Sequence, residues 1–270
     1  MTHLTNAPPG TAPRLEAALI AARVAGAVLL GHRGRLKAVE HKGRVDLVSE
    51  ADRASEEIVS GRLLGTFPED ALLGEEGGSL GGSGPFRWVV DPLDGTTNYV
   101  HGLPIFAVSI GLEYQGRRVA GVVHTPALGE TFHAVLGQGA RCNGSAISVS
   151  TTSRLVDAVL STGLPYHRIQ VAERLLADWS WGIHNLQGLR RPGAAAVDLA
   201  WTACGRLDGY WERHLGPWDM AAGALIVEEA GGRVSRPDGA PLDSEAGSLV
   251  ASNGRLHEMI LSGLGGEPHP

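Results

Sequence analysis

Two carboxylates three residues apart, followed at once by a glycine and two threonines, form the most chemically loaded stretch of the chain: Asp91-Pro92-Leu93-Asp94-Gly95-Thr96-Thr97-Asn98. The strand-forming run Arg87-Trp88-Val89-Val90 delivers Asp91 to a proline turn, and Gly-Thr-Thr can open a helix. Carboxylates held this close repel each other unless a cation sits between them, and oxygen-only ligands suit a hard ion such as Mg2+. Backbone N–H groups of Gly95 and Thr96 at a helix start would face an anion. The pattern predicts a metal site beside a phosphate.

Other acids have ordinary structural roles that compete with a place in such a site. Asp52 follows Ser49 by three residues, a capping box at the start of a helix carrying Ile58, Val59, Leu63 and Leu64. Glu75 and Glu76 end the short apolar strand Ala71-Leu72-Leu73-Gly74, where a solvated turn is the usual reading. Asp219 follows Pro217-Trp218 in the first turn of a helix, where the macrodipole favours an acid. Glu212 ends a strand shortly before. The G-x-S-x-G match at 77–81 lies in a Gly/Ser-rich stretch with no helix behind it, and no Walker A, Rossmann, H-E-x-x-H or C-x-x-C pattern occurs. The 11 histidines show no zinc-ligand spacing, although His101 and His214 lie near the candidate stretches.

The elements that must position these residues can be read from periodicity. Residues 1–10 carry no pattern and read as a flexible arm; 11–270 read as a single unit with no convincing linker. A helix from Thr11 to Gly31 has Leu15, Leu19, Ala22 and Gly26 on one face, and a polar loop spans 37–44. After the central motif, β-type runs at 106–112, 119–123 and 130–135, with Asn143-Gly144 as a further hairpin turn, predict an antiparallel meander rather than a βαβ repeat. The second half alternates: strand 156–161, helix 168–179, Ala-rich helix 193–204, strand 207–212, helix 217–230 stopped by Gly231-Gly232, strands at 232–235 and 249–252, and a last helix from Arg255. Stacked α and β layers follow, with sub-regions at about 11–150 and 151–270.

The composition, 43% hydrophobic and 19% charged over 270 residues, is that of a globular chain with a substantial core. A formal net charge of −6 and the lack of a Lys/Arg block argue against nucleic-acid binding. Two cysteines point away from a disulfide framework and toward a reducing compartment. The apolar run 17–30 is interrupted by Arg23, lacks a preceding basic segment and is short for a bilayer span, so the expectation is cytoplasmic, with no membrane partner.

Taken in order, Val45-Asp46-Leu47-Val48-Ser49-Glu50-Ala51-Asp52, Gly74-Glu75-Glu76, Asp91-Pro92-Leu93-Asp94-Gly95-Thr96 and Pro217-Trp218-Asp219-Met220-Ala221-Ala222-Gly223 resemble the inositol monophosphatase family of metal-dependent, lithium-sensitive phosphatases. The resemblance implies an α+β fold, a layered αβαβα sandwich like that of fructose-bisphosphatase, usually a homodimer, hydrolysing a small phosphate monoester with two or three Mg2+ ions. Carried onto this chain, Glu75, Asp91, Asp94 and Asp219 resemble the side-chain metal ligands and Leu93 the one that binds through its carbonyl. Glu76 is then not a primary ligand. Asp52 and Thr96 resemble the pair that orients and deprotonates a metal-activated water, with Glu75 counted among the catalytic groups and no covalent intermediate. Asp94, Gly95 and Thr96 resemble the phosphate cradle.

Substrate choice turns on fewer residues. Thr97-Asn98-Tyr99 is similar to the inositol-phosphatase branch, whereas nucleotide-bisphosphate and histidinol-phosphate branches more often carry Lys at the position of Thr97. Glu212 matches the acid that contacts inositol hydroxyls, and Ala195 a residue of the pocket wall. The segment Thr162-Gly163-Leu164-Pro165-Tyr166 and Ala194 depart from the family, and Arg190 points toward a differently charged substrate. The expected reaction is myo-inositol monophosphate to myo-inositol and phosphate. The alternatives are histidinol phosphate, fructose 1,6-bisphosphate or adenosine 3',5'-bisphosphate and, in another class, a weakly active regulatory homologue.

Overall fold

The computed structural model describes residues 6–35, 39–41, 47–166, 168–243 and 247–265. The first helix, α1 (Thr11–His32), leads through a short antiparallel pair, β1 (Val39–His41) and β2 (Leu47–Ser49), into α2 (Glu50–Thr66). The rest of the polar loop expected at 37–44, and Val45-Asp46 of the first motif, lie outside the described residues. Strands β3 (Ala71–Gly74), β4 (Gly78–Gly81) and β5 (Phe86–Asp94) precede a short helix, α3 (Thr96–Val100). The meander follows as β6 (Ala107–Tyr114), β7 (Arg117–Thr125), β8 (Glu130–Val135), β9 (Ala140–Cys142) and β10 (Ser145–Ile147). The second half contributes β11 (Val159–Thr162), α4 (Ala172–Asn185), β12 (Gly188–Arg190), α5 (Ala195–Ala203), β13 (Gly209–Arg213), α6 (Pro217–Glu229), β14 (Arg233–Ser235), β15 (Ser248–Ser252) and α7 (His257–Leu264).

These elements stack as five layers. Helices α1 and α2 cover one face of an eight-stranded sheet ordered β10-β9-β8-β7-β6-β5-β3-β4. Helices α5 and α6 cover its other face and form the middle layer, with a five-stranded sheet, β12-β11-β13-β15-β14, on their far side. Helices α4 and α7 close the stack. Each interface has an apolar cluster: Leu63, Trp88, Phe106 and Ile110 under α1 and α2; Phe132, Leu199, Leu225 and Leu249 around the middle helices; Leu160, Trp211, Val250 and Ile260 beneath α4 and α7. Both faces of β5 and β6 are covered by helices, which is why these strands are near-continuous apolar runs rather than alternating ones.

Several local features differ from the sequence reading. The Gly/Ser-rich stretch around 77–81, for which the sequence offered no element, contains β4, a fully exposed edge strand paired antiparallel with β3. The large sheet is antiparallel as expected except at one place, where β3 runs parallel to β5. Thr11, the first residue of α1, donates its hydroxyl back to the Pro8 carbonyl, and Gly10 holds the N-cap position. Ala7 donates its N–H to Leu136 O at 3.2 Å, which ties the end of the arm to the sheet. Residues Leu155–Asp157 form a 3-10 turn before β11, α4 begins four residues later than expected, and β12 had no periodic signal. Helix α1 is long and apolar enough by length and composition to cross a membrane, yet it lies along α2 and the large sheet, burying Ala18, Ala21, Ala22, Ala25 and Leu29.

Candidate active site

The parallel pairing of β3 with β5 brings two acidic segments to one edge. Gly74 lies opposite Val90, and the N–H of Glu75 donates to Val90 O at 3.2 Å, so Glu75 and Asp91 leave the sheet side by side. Helix α2 holds both turns. Ser55 Oγ donates to Pro92 O at 2.6 Å, and Glu56 Oε1 accepts the Gly77 N–H at 3.0 Å behind Glu75. The β5 register shifts between Asp91 and Asp94, and Asp91 Oδ1 accepts the Leu93 N–H at 2.9 Å, an Asx-type turn that swings Asp94 into the middle of the molecule.

Asp94 meets α5 there. Its two carboxylate oxygens accept the N–H groups of Ala195 (3.1 Å) and Ala196 (2.9 Å), unsatisfied donors of that helix's first turn. Asp219, at the start of α6, accepts the Gly216 N–H at 2.7 Å. One oxygen from each of Asp91, Asp94 and Asp219 falls within 4.8 Å of the others. Burial, then repulsion from Glu75, Asp94 and Asp219, pushes Asp91 well above the ordinary carboxylate range. Burial, then Asp94, does the same to Asp219. Asp94 is pushed up to about 7 by burial, with Glu212 and Glu75 adding to it and the α5 amides opposing. A cluster of carboxylate oxygens this close and this poorly tolerated as bare charge fits a hard divalent cation.

Asp52 performs its ordinary role and reaches the site as well. Its Oδ2 accepts the backbone N–H (2.8 Å) and hydroxyl (2.5 Å) of Ser49 in the expected capping box, while Oδ1 lies 3.0 Å from Thr96 Oγ1. The Thr96 hydroxyl is also 3.0 Å from Leu93 O, so it can donate to either oxygen. Burial raises the Asp52 pKa against the hydrogen bonds from Ser49 and Thr96.

The cleft continues past the carboxylates along Gly163, Leu164, Pro165, Tyr166, Ala194, Ala195 and Glu212. Tyr210, fully buried, donates its hydroxyl to Glu212 Oε2 and fixes that carboxyl. Burial pushes Glu212 up to about 7, opposed by the Tyr210 bond and the charge of Arg191. Gly163 leaves room for it, since a Cβ there would overlap the Glu212 carboxylate. The departing 162–166 segment is therefore a wall of the cleft, with Tyr166 lining both its parts. Arg190 is not in that wall: it is exposed, with Nη1 on Leu189 O, and its neighbour Arg191 lines the cleft instead. Arg190 is the last residue of β12, and Arg191 opens the exposed loop that runs along the cleft to α5. His214 lines both parts of the cleft in a left-handed backbone conformation (φ 61°), whereas His101 is exposed at the end of α3.

Every side chain expected in the site is thus gathered around one cleft: Asp52, Glu75, Asp91, Asp94, Thr96, Glu212 and Asp219, with Gly95 and Ala195 in its lining. Residues that hold them were not legible. Asn98 Nδ2 lies 2.8 Å from both Ile105 O and Pro192 O, pinning the loop before α5 to α3. Its place inside the acidic motif was the only available signal. The arrangement can bind a cation beside a polarised water, seat an anion at the start of α3, and read hydroxyls through Glu212.

The profile of the inositol monophosphatase family matches residues 11–267. The chain is 45% identical over 256 residues to an inositol-1-monophosphatase of Synechocystis, covering 94% of this chain and 89% of that one. It is 43% identical to the Nus factor SuhB of Pseudomonas aeruginosa, covering 95% and 97%. The crystal structure of the extragenic suppressor protein suhB from Bartonella henselae superposes with a TM-score of 0.89 at 40% identity, covering 93% of this chain and 97% of that one. With the layered sandwich and the carboxylate cleft in place, the chain belongs to the inositol monophosphatase family and is a phosphoric monoester hydrolase.

Proposed function

We propose that this protein hydrolyses the phosphate monoester of a small polyol, with myo-inositol 1-phosphate as the first choice of substrate. The observation that carries this reading is the convergence of Glu212, fixed by Tyr210, on the same cleft as the carboxylate cluster. A carboxylate held there accepts hydrogen bonds from hydroxyls and repels a second phosphate. Glu75, Asp91, Asp94 and Asp219, with the Leu93 carbonyl, would hold two or three Mg2+ ions. Such ions lower the pKa of an attacking water and neutralise charge on the leaving oxygen.

The chain's own groups supply the rest. Thr96 Oγ1, shared between Asp52 and Leu93, orients the water, and Asp52 takes its proton. Gly95 and Thr96 amides at the start of α3 seat the phosphate without adding a charge. Ala195 and Ala196 hold Asp94 in place as charge redistributes. Attack in line with the leaving alcohol requires no covalent enzyme intermediate.

Phosphate release from myo-inositol 1-phosphate, histidinol phosphate, fructose 1,6-bisphosphate and adenosine 3',5'-bisphosphate, measured with Mg2+ and with or without Li+, tests the reading. The inositol ester should be turned over fastest and Li+ should inhibit. A faster rival ester would displace the assignment. A relative named Nus factor SuhB suggests a role besides catalysis, but the unbroken set of carboxylates favours turnover here.

Two further properties accompany this reading. Leu176 and Ile183 are 70% and 69% exposed, seven residues apart on one face of α4, which favours a homodimer; sedimentation velocity would show it. Cys142 and Cys204 are both free thiols, in keeping with a cytoplasmic enzyme.

A further inference from the structure

The walls of the cleft hold five acids, Glu75, Asp91, Asp94, Glu212 and Asp219, and among the described lining residues Arg191 is the one arginine or lysine. It makes no hydrogen bond or ion pair with a described residue, and its charge reaches Glu212 without a salt bridge joining them. Its guanidinium folds over Gly193: a Cβ at 193 would overlap Nη1, and the backbone there has φ 89°. The left-handed backbone at 193 disfavours a side chain there, and the guanidinium lies across the space that one would take. The loop is also anchored, since Asn98 holds Pro192 O at 2.8 Å.

With divalent cations matched to Glu75, Asp91, Asp94 and Asp219, two charged groups in the cleft remain for the rest of the substrate: Glu212, whose Oε2 already accepts the Tyr210 hydroxyl, and the Arg191 donor. A second anionic group on the substrate would gain Arg191 but meet Glu212. Adjacent hydroxyls use both, because a carboxylate accepts from one and the planar guanidinium fork donates to the oxygen of the next.

The geometry points to Arg191 as a specificity-determining residue that, facing the same cleft as Glu212, donates to a hydroxyl oxygen of the polyol beside the hydroxyl held by Glu212. This rests on the polyol-phosphate reading above.

The test is a selectivity ratio: kcat/KM for myo-inositol 1-phosphate divided by kcat/KM for cyclohexyl phosphate, which has the same ring without the hydroxyls. Arg191 is exposed, so Arg191→Ala should fold. The ratio should fall about tenfold, carried by KM of the inositol ester rather than by kcat. Arg191→Lys should recover only part of it, having charge without the fork. An unchanged ratio, or a loss on fructose 1,6-bisphosphate larger than that on the inositol ester, overturns the proposal. If the wild-type enzyme releases phosphate from neither ring ester, the polyol reading itself fails, and that is seen before any variant is made.

Discussion

Asn98 donates its side-chain amide to the carbonyl oxygen of Pro192 at 2.8 Å, joining the helix after the acidic motif to the loop before α5 across 94 residues of sequence. The same nitrogen reaches Ile105 O, so one side chain satisfies two carbonyls. Asn98→Ala leaves both without that donor and should cost about 1–3 kcal/mol in urea unfolding. Because the loop carries Arg191 and leads to the amides holding Asp94, KM should rise and kcat should fall together. Steady-state kinetics on folded variant protein checks this.

The metal-free protein should lose stability as pH rises. Asp94 sits at about 7, and Asp91 and Asp219 are also raised, above an unfolded carboxylate value of about 4. Between these values the folded state holds more protons than the unfolded chain, so their contribution is fully present below about pH 4 and is lost as pH climbs through about 7. In EDTA, the wild-type Tm should therefore drop across pH 5–8 relative to Asp94→Asn, and Mg2+ should remove the difference in slope by binding the ionised cluster. Parallel Tm profiles for the two proteins in EDTA would sink this account. Asp94→Asn should also abolish Mg2+-dependent turnover while retaining the fold.

Asp52→Asn separates its two roles. The amide can still accept from Ser49 and keep the cap, so stability should change by roughly 1 kcal/mol or less. It cannot take a proton from water, so kcat should fall by about 10²–10⁴ with KM little altered. A thermal melt beside an initial-rate assay suffices.

Gly163→Ala places a methyl where the Glu212 carboxylate lies. The carboxyl must swing away from Tyr210, so KM for a polyol phosphate should rise about tenfold while an aryl phosphate, which lacks hydroxyls, is affected less. Equal losses on both substrates would mean that the wall itself, rather than Glu212, had been disturbed.

Much of the site was legible because its chemistry is local. Asp91, Asp94, Gly95 and Thr96 announce themselves by spacing, and the antiparallel meander follows from alternating runs between turn residues. Other parts were hidden for a physical reason: they depend on long-range register. Nothing in Ala195-Ala196 signals that their amides grip a carboxylate about a hundred residues earlier. The parallel partnership of β3 with β5 could not be seen from two short apolar runs joined by a Gly/Ser-rich segment. Choosing between Arg190 and Arg191 needed the direction in which β12 ends, and β12 has only three residues. Asp52 shows that a capping role and a place in the site can coexist in one carboxylate, one oxygen serving each.

The middle layer of the sandwich comes from the C-terminal half of the chain, yet α6 packs on β5, β6, β7 and β8 of the N-terminal half. A polypeptide emerging from the ribosome completes the large sheet well before it makes the helices that shelter one face of it. Until α5 and α6 arrive, that face presents Val123, Phe132 and Ala134 to water. The nascent chain is accordingly most prone to aggregate, and most in need of a chaperone, in the interval between those two events.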